Sequence, residues 1–304
     1  SVTGVQTCAL PILSLLIGRT TLGLVRLRMK SAVDELTKIF EGALSIGNNT
    51  ALGSPVGATV VANGAAVQVS GGITSAEPFT VSGTGLSATS GVLQNLSGDN
   101  TLSGAINVLT AARFGSDAGT LTLGGAIAAT DLALTFGGAG NVVVSGAMTL
   151  GTAGVTKEGL GTLTLSGANT YAGATAVTAG ALRIANNAAL GSTSSLVVTA
   201  GAALQIDGGV TYAGVAATTP ILQNISGSNT WSVALRPTNG GALTLRSDAG
   251  VLTLNGPAGS LNAQSADGVN RALVLTGAGN GSLATDFSNA ASFTKSGAGV
   301  WSFD

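Results

Sequence analysis

The sequence predicts an all-β fold, a parallel β-helix in which short strands stack turn upon turn, on three observations. The first is recurrence: VTKEGLGTLTLS (155–166) returns as FTKSGAGVWSFD (293–304), matching Lys157 with Lys295, Gly159 with Gly297 and Gly161 with Gly299 at an offset of 138. GALSIGNNTALG (42–53) against GALRIANNAALG (180–191) gives the same 138. The second is alternation, as in GTLTLGG (119–125), NVVVSG (141–146) and GTLTLSG (161–167). Period-two Leu points inward, Thr outward, and Gly and Asn accept the tight corners between runs. The third is that helical periodicity is missing after Gly42. Alternation alone also suits an antiparallel sandwich. The long repeat separates the two, because repeated units bury their apolar edges against their neighbours.

Composition narrows the class. The 304 residues carry 8% charged and 4% aromatic side chains, 45% hydrophobic residues and 47 Gly. Average chains hold roughly 25% charge, and disordered ones are rich in charge and poor in apolar residues, so an ordered, weakly charged solenoid is expected. A net charge of -1 offers no clustered cations for nucleic acid or an anionic membrane, and neither partner is expected.

Along the chain, residues 2–12 (VTGVQTCALPI) resemble the in-frame translation of a short-read sequencing adapter, and 1–12 are set apart as an artefact. The sole cysteine, Cys8, lies there, and the sequence has no His. Disulfides, thiol chemistry and thiolate zinc sites are therefore not expected. The longest apolar run, 8–18, is too short to span a bilayer and holds Pro11 and Ser14. Arg19, Arg26, Arg28 and Lys30 follow it instead of preceding it, the wrong order for a signal peptide. Residues 13–41 form a non-repeat segment with a candidate helix over 31–41: Ser31 caps, Asp34 follows, Val33, Leu36, Ile39 and Phe40 share a face, and Gly42 stops it. Such a helix would cover the open first rung; the alternative is that the segment is unrelated upstream sequence.

From 42 to 304 the repeat words keep one order. ATVVANGAAVQVSGGIT (58–74) matches SLVVTAGAALQIDGGVT (195–211), GVLQNLSGDNT (91–101) matches PILQNISGSNT (220–230), and SDAGTLTL (116–123) matches SDAGVLTL (247–254). Offsets of 137, 129 and 131 place insertions between words, as when corner loops vary and stacked rungs do not. At roughly 20 residues per turn and about 4.8 Å per rung, this segment makes about 13 rungs and a rod of about 60 Å.

TKEGLGTLTLSGANTYAGATAVTAGAL (156–182), with the flanking GAALQIDGG, LQNISGSNTW and SDAGVLTL words, resembles the passenger-associated repeat of bacterial autotransporters, the autotransporter-associated β-strand repeat. Ala174 and Ala176 stand where Gly and Thr are commoner, and the second copy lacks its downstream half. The resemblance implies a right-handed parallel β-helix exported through the outer membrane of a Gram-negative bacterium and displayed or released, with a signal peptide and an outer-membrane β-barrel encoded elsewhere in the full protein. The chain then reads as a fragment of a longer passenger, with no membrane insertion by this segment.

Chemistry-bearing motifs are sparse. Without His there is no Ser-His-Asp triad, and Ser116, Asp117, Ser247 and Asp248 of the SDAG words read as corner residues bonding the backbone. Asp99, Asp117, Asp131, Glu158, Asp207, Asp248, Asp267 and Asp286 are spread singly. A polysaccharide lyase or hydrolase on this fold would need them to converge across rungs. GGAGNVVVSG (137–146) has Asn141 where a calcium nonapeptide has Asp, and GAGNGS (277–282) lacks the strand–helix context of a dinucleotide site. Three Ser-Gly-x-Asn-Thr words (97–101, 166–170, 226–230) precede Leu102, Tyr171 and Trp231. Their Asn residues suit a ladder along the axis. The sharper expectation is that Tyr171 and Trp231, with outward Thr, form a strip binding carbohydrate or a host or biofilm surface.

The expected function is a non-catalytic stalk or adhesive scaffold at the cell surface, with no cofactor, metal or catalytic residue. The alternatives are a polysaccharide-cleaving enzyme and a self-associating surface protein whose Thr-rich faces pair.

Overall fold

The structure, a computed structural model, describes residues 37–304. Among them are 33 short strands and no helix, and the strands stack in parallel through about 13 turns as a β-solenoid. One turn shows the plan. Met148–Thr149, Val155–Lys157 and Thr162–Leu165 form its three sides, and each pairs with its counterpart one turn earlier, Ile127–Ala128, Leu134–Gly137 and Asn141–Val144. The step is 21 residues from Asp99 to Thr120 and from Thr120 to Asn141, then 19 from Thr162 to Ala181. Corner loops absorb the difference.

Alternation explains the core. In Thr162–Leu165 the leucines are buried and the threonines half-buried. Register aligns Leu121, Val142, Leu163, Leu182, Leu204, Leu222 and Leu245 in one inward column. Each such side chain contributes roughly 1.5–3 kcal/mol by leaving water. Parallel strands bring identical corners into contact, and there side-chain volume is excluded. A Cβ on Gly125 would lie 2.0 Å from the Gly104 carbonyl oxygen, and one on Gly146 1.9 Å from that of Gly125. These glycines are spacers between rungs.

The candidate helix over 31–41 is corrected where it can be seen. Residues 31–36 lie outside the described residues, but Lys38–Ile39 is a strand whose partners are Val60 and Val61. Ile39 is buried and Phe40 exposed, the split of a strand and not of one helical face. A short isolated helix is marginal, whereas pairing with the next rung satisfies the backbone and buries Ile39 together. The solenoid therefore already runs at Lys38, ahead of the boundary drawn at residue 42.

Candidate functional site

Tyr171 and Trp231 are not surface residues. Both are fully buried, so the expected binding strip does not exist at these positions. The Tyr171 hydroxyl lies 2.9 Å from Thr175 Oγ1, which lies 3.1 Å from Thr193 Oγ1. Burial pushes the phenol well above its ordinary value, partly opposed by the Thr175 hydrogen bond. Trp231 stacks on Tyr212 at 4.4 Å between ring centroids, and its Nε1 has no hydrogen-bond partner. Period two points the same way: the Asn of each Ser-Gly-x-Asn-Thr word faces inward, the Thr outward, and the next residue inward again. Leu102 occupies the same inward place and is also buried. Here the large aromatics are core residues.

The Asn residues of these words do form an axial system. Asn100 Oδ1 accepts the Ile73 N–H at 2.7 Å, Asn169 Oδ1 accepts that of Met148 at 2.8 Å and Asn229 Oδ1 that of Val210 at 2.6 Å. Asn100 Nδ2 donates to the Ser97 carbonyl and to Asn95 Oδ1, and Asn229 Nδ2 to the Ser226 carbonyl and to Asn224 Oδ1. Asn95 and Asn224 in turn donate to Ser116 Oγ and Ser247 Oγ, each at 3.1 Å. The two repeats thus carry the same Asn–Asn–Ser cluster, buried among apolar rungs where an unmet polar atom costs several times a net hydrogen bond.

The SDAG words belong to this system: Ser116 Oγ donates to the Gly119 carbonyl at 3.3 Å, the backbone bond expected of a corner residue, and the side chains also join neighbouring rungs. Ser116 and Ser247 close the Asn clusters. Asp117 and Asp248 instead accept from Gln94 Nε2 and Gln223 Nε2, at 2.8 and 2.5 Å. Gln94 and Gln223 belong to two side-chain ladders that run from rung to rung, Ser45–Gln68–Gln94–Asp117 and Arg183–Gln205–Gln223–Asp248. Asn141, singled out for its calcium-like word, accepts the Thr162 N–H one rung on at 2.9 Å.

The carboxylates do not converge. Asp131 is held by Thr152, Asp207 by Ser226 and Arg183, Asp267 by Ser265 and Arg271, and Glu158 by Arg113. None of these shares its partner with another acid. Among the described residues no three His, Cys, Asp or Glu are grouped to hold a metal ion. Glu77, unremarked in the sequence, is buried. Its Oε1 accepts from Thr59 at 2.7 Å while Oε2 has no partner, and desolvation raises its pKa.

The densest charge lies at the repeat motif itself. Lys157 is 2% exposed, and its Nζ donates to the carbonyls of Glu158 at 2.8 Å, Gly159 at 2.7 Å and Ala179 at 3.2 Å. The buried Arg113 donates to Glu158 Oε1 at 2.7 Å and to the Ser90 carbonyl at 2.7 Å. Lys157 therefore ties a corner of one rung to the next, which is the physical content of the TKxGxG word. Lys295 repeats the bonds to its own corner, Ser296 and Gly297.

Desolvation, aided by Arg113 and opposed by Glu158, brings the Lys157 pKa down from 10.5 to about 8. Between those values the unfolded chain holds a proton that the folded chain has released, so stability rises with pH. The expected gain is about 2 kcal/mol from pH 7 to 9.5, read as the difference in denaturation free energy between the wild type and Lys157→Met, whose curve lacks the rise. Tyr171 and Tyr212, raised by burial, act in the opposite direction above about pH 10.

In comparisons with known proteins, the family model for the passenger-associated-transport-repeat matches residues 155–184. These residues carry Lys157, the inward Leu163 and Leu165, the buried Asn169 and Tyr171, and the following rung to Ile184. No curated protein and no solved structure matches the chain. The matched repeat and the β-solenoid together fit an autotransporter passenger repeat protein.

Proposed function

We propose that the chain is a β-helical passenger segment of an autotransporter-like, type V secreted protein, working at the cell surface as a stalk or adhesive scaffold without a catalytic centre of its own. The passenger-associated repeat at 155–184, in a stack where polar side chains are spent on joining rungs, carries this reading. The singly held carboxylates favour a scaffold over a polysaccharide-cleaving enzyme, whose acids would face one another across a groove. With Tyr171 and Trp231 inside, any adhesion to carbohydrate or a host or biofilm surface falls to the outward Thr and Gln side chains. No described helix is long and apolar enough to cross a membrane; anchoring by a barrel elsewhere in the full protein is part of the passenger reading itself.

The test is display. The chain is fused between an export signal and an autotransporter barrel in a Gram-negative host, and protease is added to intact cells. Cleavage at the surface is the expected outcome. Retention in the periplasm, with the barrel inserted, contradicts the passenger reading.

A further inference from the structure

Four Asn–Gly pairs occur in the sequence, at Asn63, Asn239, Asn255 and Asn280. In such a pair the glycine nitrogen can attack the asparagine side-chain amide, because glycine has no Cβ to block the approach and leaves the backbone free to turn. Three conditions decide the rate in a folded chain: a free glycine N–H, an untethered asparagine side chain and a backbone able to rotate. The stack imposes them unequally.

Asn280 meets none of them. It lies in the strand Asn280–Leu283, its Oδ1 accepts the Val300 N–H at 2.9 Å, and the Gly281 N–H donates to the Val300 carbonyl at 2.9 Å. Asn255 Oδ1 accepts from Ser232 Oγ at 2.7 Å, its own N–H is bonded to the Trp231 carbonyl, and Pro257 follows Gly256. Asn63 lies against the next rung, its Oδ1 occupying the space that a Cβ on Gly83 would need. Asn239 differs. It is exposed in the corner loop between the strands Leu235–Arg236 and Leu243–Ser247. Among the described residues, neither its side chain nor the Gly240 N–H has a hydrogen-bond partner. Gly240 is exposed at φ +93°, and a Cβ on Gly240 or Gly241 would meet nothing within 4 Å. Buried Pro237 and Thr238 hold the other end of the loop.

We infer that Asn239 is a deamidation site, the one of the four that converts while the stack stays folded. The Gly240 nitrogen bonds to Asn239 Cγ, the side-chain nitrogen leaves as ammonia with the proton of the Gly240 N–H, and a cyclic imide closes. Water then adds to one imide carbonyl. Opening at Cγ leaves aspartate, and opening at the main-chain carbonyl leaves isoaspartate, with the chain running through Cγ. One water is consumed and one ammonia released, with no oxidant or cofactor. The added carboxylate takes the formal net charge from -1 to -2. The longer backbone of isoaspartate falls in a corner whose length already varies between successive rungs, two residues at 219–220, six at 237–242 and nine at 263–271. The strands on either side therefore stay paired. The site does not depend on the passenger reading.

The test separates fold from sequence. The full chain is incubated in heavy-oxygen water at mildly alkaline pH, once folded and once in denaturant, and the four Asn–Gly peptides are followed by mass spectrometry. In the folded chain Asn239 is expected to take up label first, about thirtyfold ahead of Asn280, the factor set by two hydrogen bonds of ordinary net strength that must break before Gly281 can attack. In denaturant the four rates should draw together. Asn239→Gln, whose side chain is one methylene too long to close the same ring, should lose the label at this position. The inference is overturned if Asn63, Asn255 or Asn280 converts as fast as Asn239 in the folded chain, or if Asn239 converts only in denaturant. It is equally overturned if hydrogen exchange shows Leu235–Arg236 and Leu243–Ser247 opening as label accumulates.

Discussion

Alanine at Gly138 is expected to cost about 3 kcal/mol or more, and alanine at its counterpart Gly277 as much locally. Gly138 has φ +114°, and a Cβ there would lie 1.9 Å from the Ser116 carbonyl oxygen; Gly277 has φ +106° and a distance of 1.8 Å to that of Ser247. The cost therefore combines backbone strain with a clash against rigid backbone, and neither relaxes without separating two rungs. Coupling in a solenoid passes only between neighbours, so place matters as much as magnitude. Hydrogen exchange should show Gly138→Ala opening the middle of the stack and parting it into two blocks, whereas Gly277→Ala frays only the rungs near the C-terminus. Equal, uniform loss of protection from both variants would contradict a neighbour-coupled stack.

Asn100→Ala is the second large effect, at about 2–4 kcal/mol. It leaves the Ile73 N–H, the Ser97 carbonyl and Asn95 Oδ1 without the partner they share. Asn229→Ala removes the equivalent bonds to Val210, Ser226 and Asn224 and should cost a similar amount. Thr101→Ala, one residue on and half-buried on the outer side, should change denaturation free energy by under about 0.5 kcal/mol. The contrast between adjacent positions, measured by chemical denaturation, tests the inward–outward assignment directly.

Much of this fold is legible in one dimension because a β-helix uses the same short period in every turn. GTLTLSG yields strand, inward face and corner together, and the 138-residue recurrence separates a stack from a sandwich. What the sequence withholds is which residue lies above which. Ser116 and Asp117 are identifiable as corner residues, but their partners Asn95 and Gln94 come from the preceding rung, so register decides their role. Lys157 is visible as a repeated letter, while its bond to the Ala179 carbonyl depends on the following rung. Tyr171 and Trp231 are different: each stands two residues after a buried Asn, so period two places it inward. In a core this short of aromatics, the few large rings fill space. The apolar positions at Ile39 and Phe40 fit a helical face and a strand equally well, and only pairing with Val60 and Val61 decides between them.

The central claim is that the outward side chains Thr101, Thr122, Val143, Thr164, Arg183, Gln205, Gln223 and Arg246 lie in one column, each one rung beyond the last. Electron–electron double resonance between spin labels at Thr101 and Arg183, and at Thr101 and Arg246, measures it most directly. Four and seven register steps predict separations of about 19 and 34 Å. Distances that fail to grow in proportion to rung number, with Arg246 as near to Thr101 as Arg183 is, would contradict the parallel stack.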